Sequence, residues 1–165
     1  MPNIPSAQTR VLIIGVGNSY RGDDAAGLII ARKLRAQLPE DIKIIEQSGE
    51  GAALLETWKN AEHVILVDAA HSGAAPGTIF RFEAHKQALP TQFFHYSTHA
   101  FSVAEAVELA RVLKQMPNTL IVYGVEGNNF AAGIALSPDI EKAIPEVTAR
   151  IIHELELQAQ TPISF

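Results

Sequence analysis

Residues 11–33 read VLIIGVGNSYRGDDAAGLIIARK. The stretch opens on four apolar residues, Val11 to Ile14, rich in β-branched types. Such a run is too short for a helix and fits a strand buried on both faces, where no polar alternation is needed. Gly15, Gly17, Asn18 and Gly22 then mark a loop. Asp23 can cap the helix that follows, its carboxylate taking a free backbone N–H of the first turn. Leu28, Ile29, Leu34 and Leu38 recur at roughly helical spacing, and Pro39 ends the run. The unit is strand, tight loop, helix. Two adjacent carboxylates, Asp23 and Asp24, stand where the chain leaves the strand.

The rest of the chain repeats the alternation. Ile42–Glu46 reads as a second strand, Gln47–Gly51 as a loop and Ala52–Asn60 as a short helix. Val64-Ile65-Leu66-Val67 is another all-apolar run and ends on Asp68. The segment from Ala69 to Gly77 is loop by composition, and Thr78–Phe82 is a short strand that Arg81 marks as an edge. Glu83–Tyr96 has no clear period. A helix is expected over Ala100–Lys114, capped by Thr98 or by Ser102, which has capping-box spacing to Glu105. Thr119–Val125 reads as a third buried strand and Glu126–Ala135 as a loop. Ser137-Pro138 opens a last helix to about Leu157, broken or kinked at Pro145. Strands alternating with helices predict an α/β fold, a three-layer α/β/α sandwich around a mostly parallel sheet.

Length and composition bound the function. The 165 residues suit a single domain over 1–165, with residues 1–9 and 158–165 expected to be loosely ordered. A net charge of −5 argues against sequence-independent binding to nucleic acid or an anionic membrane. There are no cysteines, which removes disulfides, thiolate metal sites and a cysteine nucleophile, and suits a cytoplasmic location. No apolar run approaches the roughly 20 residues of a membrane span, and residues 1–9 do not read as a signal peptide.

Ligands of such sheets bind beyond the carboxyl ends of the strands. Asp23 and Asp24 follow the first strand, Asp68 ends the third, and His99 precedes the long helix. If the first and third strands are neighbours, these groups converge. Two carboxylates and an imidazole suit a borderline divalent ion such as Zn²⁺ or Ni²⁺. Each has a structural reading too. Asp23 can be a helix cap, Asp24 can answer the helix dipole, and His99 can be a structural histidine. Asp68 is sharper, because a carboxylate closing an apolar strand needs a partner or a ligand. His71, three residues past Asp68, and a His95–His99 pair are further candidates. There is no G-x-S-x-G, H-E-x-x-H or P-loop pattern, and Tyr20 interrupts the G-x-G-x-x-G that Gly15 and Gly17 begin. The acidic loop also disfavours a pyrophosphate, so a dinucleotide site is not expected.

The set GVGNSYRGDDAAG at 15–27, VILVDAA at 64–70, a histidine at 99, YGVEG at 123–127 and ALSP at 135–138 resembles the [NiFe]-hydrogenase maturation proteases. The resemblance spans about residues 10–150 and follows the family's order. It implies a five-stranded twisted sheet with one antiparallel strand, which Thr78–Phe82 would supply. It implies an aspartyl-type endopeptidase that removes a C-terminal extension from the hydrogenase large-subunit precursor after nickel insertion. It also implies that Asp24, Asp68 and His99 contact the nickel that the precursor carries, and no organic cofactor is expected. Asp23, beside Asp24, is a further candidate, as a general base or as a group that supports the metal contacts. The expected partner is that precursor, and the chain is expected to act as a monomer. Many members carry an Asp-Gly-Gly-Thr-like loop, thought to help choose the partner hydrogenase. Here the place reads Gln47-Ser48-Gly49-Glu50-Gly51. Two other classes stay open: a non-catalytic chaperone that inspects the large subunit, and a metallohydrolase with its own zinc.

Overall fold

The computed structural model describes residues 11–90, 93–94 and 102–160. The elements run β1 (Val11–Val16), a 3-10 turn (Gly22–Ala25), α1 (Ala26–Gln37), β2 (Lys43–Gln47), α2 (Gly51–Trp58), β3 (His63–Ala70), β4 (Ile79–Glu83), α3 (Val103–Val112), β5 (Thr119–Glu126) and α4 (Pro138–Gln160). The strands form one sheet in the order β2-β1-β3-β5-β4. β1, β2, β3 and β5 pair in parallel, and β4 is antiparallel to β5. β1 and β3 are neighbours, with Ile14 opposite Leu66. The expected edge strand is thus the antiparallel one.

The apolar runs alternate faces, as a strand must. Leu12, Ile14, Val64 and Leu66 pack with Leu54, Trp58, Val103 and Val107 on the α2 and α3 side. Ile13, Ile65 and Val67 pack with Ile30, Leu34, Ile140 and Val147 on the α1 and α4 side. Burial on both faces explains why β1 and β3 show no polar alternation. This is the α/β/α sandwich expected from the sequence.

The differences lie at the ends of elements. β3 runs two residues past Asp68, because Asp68, Ala69 and Ala70 continue the pairing with Gly124, Val125 and Glu126 of β5. Asp68 therefore sits inside a strand rather than closing it. β5 likewise takes in Glu126, read above as loop. Pro145 does not break α4, which is one span from Pro138 to Gln160. Proline gives up one backbone N–H, and the buried Ile144, Val147 and Ile151 hold the helix to the sheet on either side of it. α4 also continues past Leu157, into the stretch expected to be loose. α2 begins at Gly51, capped by Glu50, whose carboxylate accepts from Ala52 N at 3.0 Å and Ala53 N at 2.9 Å. Ser102 is the N-cap of α3, and its N–H donates to Glu105 Oε2 at 3.1 Å in the expected capping box. Thr98 lies outside the described residues.

β1 and α1 meet glycine against glycine. A Cβ on Gly27 would stand 2.3 Å from the Val16 carbonyl oxygen and 2.5 Å from that of Val67. A Cβ on Gly15 would stand 2.4 Å from the Gly27 carbonyl oxygen. No side chain fits there, because the obstacles are backbone atoms. This close approach fixes the height at which α1, and the 3-10 turn before it, sit over the sheet. Gly27→Ala should cost about 2–4 kcal/mol, read as a lower urea midpoint with an unchanged slope.

Candidate active site

One cleft opens at the carboxyl ends of β1, β2 and β3. It is lined by Val16 at the end of β1, Gly17 just after it, Asp24 from the 3-10 turn, Ser48 and Gly49 after β2, Asp68 from β3, and Phe94, Ser102 and Val103. Two carboxylates 44 positions apart in sequence therefore meet in one cavity. Asp68 shares the strand parity of Val64 and Leu66, which places it on the α2 and α3 face. Asp24 arrives from the other side of β1, held by the turn that closes on Gly17 and Asn18. Asn18 N donates to the Asp24 backbone oxygen at 3.2 Å, and Asp24 N donates to the Arg21 oxygen at 3.0 Å.

Both carboxylates are nearly sealed, Asp24 8% exposed and Asp68 5%. Among the described residues neither forms a salt bridge. Burial pushes the Asp24 carboxyl up to about 6, against the partial pull of Arg21 and of the Asn18 N–H. Burial, and then the neighbouring Asp24 charge, raises the Asp68 carboxyl well above the usual range. One hydrogen bond, from Ala69 N to Asp68 Oδ1 at 2.8 Å, offsets only part of this. Two like charges so deeply buried repel and are poorly solvated. Such a pair is relieved by taking up a proton or by a divalent cation, which answers both charges at once.

His99 and His95 lie outside the described residues. Phe94 and Ser102, the described residues on either side of 95–101, both line the cleft. Phe94 is held there by a bridge to Ala70 and by ring contact with Phe93, which packs edge-on against Phe80 and Phe82. Among the described residues no three His, Asp or Glu side chains gather as a metal cluster. His71 is not in the cleft. Its ring stands edge-on to Phe130, centroids 5.2 Å apart.

Asp23 is neither a helix cap nor a cleft residue. It is fully buried and points away from α1 into the loop after β5. Its carboxylate accepts from Asn128 N (2.7 Å), Asn129 N (2.9 Å), Ser137 N (2.8 Å) and Ser137 Oγ (2.8 Å). Burial alone would raise its carboxyl, but these four bonds outweigh it and hold the group below the usual value. α1 has no side-chain cap; the 3-10 turn leads straight into it. Asp23 is thus a strut that ties the Asp24 turn to the start of α4.

Sequence reasoning missed Glu126. It is 2% exposed and accepts from Ser72 N at 2.9 Å, Ser72 Oγ at 2.8 Å and Gly73 N at 3.0 Å. The signal was present, because Glu126 also follows an apolar run, as Asp68 does.

A family model described as hydrogenase maturation protease matches residues 29–154, well over half of the chain. The chain belongs to the hydrogenase maturation protease family. As a member it is a peptidase, which sets aside the non-catalytic chaperone. It is similar to the hydrogenase 2 maturation protease of Escherichia coli (strain K12), 29% identical over 150 residues, covering 88% of this chain and 90% of the relative. It is also similar to a putative hydrogenase maturation protease of Methanocaldococcus jannaschii, 30% identical over 148 residues, covering 86% and 88%. The solved hydrogenase maturating endopeptidase HybD from E. coli superposes with a TM-score of 0.77 at 26% identity, over 91% of this chain and 94% of that one. The expected family and α/β fold, one antiparallel strand included, are therefore borne out. No helix among the described residues is long and apolar enough to cross a membrane.

Proposed function

We propose that this protease removes the C-terminal extension of a [NiFe]-hydrogenase large-subunit precursor once nickel has been inserted. In this reading Asp24, Asp68 and His99 recognise the nickel, which arrives as part of the substrate. One observation carries it: two buried carboxylates, from β3 and from the turn after β1, share one cleft, and among the described residues neither forms a salt bridge. Carboxylate oxygens and an imidazole nitrogen are acceptable ligands for Ni²⁺. A precursor that lacks the ion offers two charges nothing to bind. A loaded precursor is held, and its scissile bond is placed for attack. Hydrolysis then adds water across that bond and releases a free carboxylate and a free amine.

The test is incubation with a candidate precursor, loaded or nickel-free, followed by intact-mass measurement. Loss of a C-terminal peptide from the loaded form alone is the expected result. Equal cleavage of both forms would overturn the nickel checkpoint, and no cleavage of the loaded form would overturn the activity. Metal analysis of the purified protein separates this reading from a zinc hydrolase, because a checkpoint enzyme carries little metal of its own.

A further inference from the structure

Tyr20 is a tyrosine left 80% exposed at the middle of a tightly held loop. Both ends of that loop, Gly17 and Asp24, line the cleft. The loop is closed on itself by Tyr20 N to Asn18 Oδ1 at 2.9 Å, Arg21 N to Asn18 O at 3.2 Å and Asp24 N to Arg21 O at 3.0 Å. It is also joined to the loop after β5. Gly133 N donates to the Tyr20 oxygen at 2.9 Å, and Asp23 N donates to the Asn129 oxygen at 2.9 Å. Beside that junction Ile134 is 46% exposed. The result is a braced rim that presents an aromatic and a branched apolar side chain to solvent, next to the acidic cleft.

A lone exposed apolar residue is ordinary. Here the backbone is fixed by hydrogen bonds on both sides, so the side chains are presented at little ordering cost. Tyrosine is also enriched among residues that dominate protein interfaces. Both ends of the Tyr20 loop line the cleft, so a polypeptide that delivers a group to Asp24 enters beside this loop. We infer that Tyr20 and Ile134 form the docking surface for the substrate polypeptide, binding an apolar side chain of the segment that flanks the metal-bearing site. This rests on the protease reading above and adds the residues that grip the chain rather than the ion.

The experiment compares Tyr20→Ala, Ile134→Ser and Tyr20→Phe with the unaltered protein on a nickel-loaded precursor. Cleavage is followed against precursor concentration, and binding is measured separately by calorimetry. Tyr20→Ala should raise KM about tenfold with kcat little changed. Ile134→Ser should do the same to a smaller degree, and Tyr20→Phe should retain most of the affinity. Thermal melts of all three should match the parent, since the side chains are exposed. An unchanged KM in Tyr20→Ala, with the parent cleaving normally, overturns the docking surface and leaves the protease reading standing. If the parent binds the precursor without cutting it, weaker binding by Tyr20→Ala still supports the surface while the protease reading falls. Sedimentation is the last arm: self-association of the parent that Tyr20→Ala abolishes would assign the rim to a second copy and overturn the proposal.

Discussion

Asp68→Asn is expected to abolish processing and, at the same time, to stabilise the unloaded protein. Both effects have one cause. Burial raises both carboxyls above the usual range, Asp24 to about 6, and the Asp24 charge pushes Asp68 further. A carboxyl whose folded value is raised holds its proton longer in the folded state than in the unfolded one. Stability therefore falls as pH rises from the unfolded value, 3.8 for Asp24, through the folded value, and the penalty is fully present above it. Asparagine at 68 removes one charge, keeps an oxygen for the Ala69 N–H, and offers an amide hydrogen to Asp24. Near neutral pH the gain should be about 1–3 kcal/mol, roughly 5 °C in Tm for a chain of this size. Processing of a nickel-loaded precursor should drop by roughly a thousandfold, the order seen when a charge-stabilising group is removed from an active site. Melts from pH 4 to 8 check the first part: the advantage of Asp68→Asn should grow with pH and vanish near pH 4. Normal cleavage by the variant would refute the recognition role. A lower Tm at pH 7 would refute the electrostatic one. Trading stability for a site that is satisfied only by its ligand is a familiar compromise.

The fold was legible because it rests on patterns that burial enforces. Val11–Ile14 and Val64–Val67 are apolar throughout because both faces of the central strands are covered, and that pattern alone placed β1 and β3. Arg81 marked β4 as an edge, and its guanidinium in the structure pairs with Glu154 of α4 rather than entering the core. The extent of each element was less legible. β3 continues through Asp68 because pairing to β5 supplies partners for its backbone, and the paired residues, Asp68 and Gly124, are far apart in sequence. The convergence of Asp24 and Asp68 was conditional on strand order, which no local pattern states. Asp23 shows the limit most clearly. Its sequence position says helix cap, but its partners are Asn128, Asn129 and Ser137, more than a hundred residues later. The place that departs from the family's usual loop keeps a recognisable local task, since Glu50 caps α2 while Ser48 and Gly49 line the cleft.

Asp23→Asn is expected to destabilise the protein strongly, and with the opposite pH sign. The Asp23 carboxylate accepts four hydrogen bonds, three from backbone N–H groups. An asparagine must turn its NH₂ toward at least one of those donors, and the remaining bonds lose their charge assistance. The loss should be about 2–4 kcal/mol, near 10 °C in Tm. Because these bonds hold the folded carboxyl below its unfolded value of 3.8, the stability it contributes is present above that value and is lost as pH falls through the folded one. The gap between the parent and Asp23→Asn should thus be widest near neutrality and narrow below pH 4. Processing adds a second readout. A general base would lose its rate at every temperature. A strut that positions Asp24 should lose it mainly as the variant approaches its lowered Tm, with much of the rate regained on cooling. A variant as stable as the parent but inactive at all temperatures would return Asp23 to the chemistry and remove it from the scaffold.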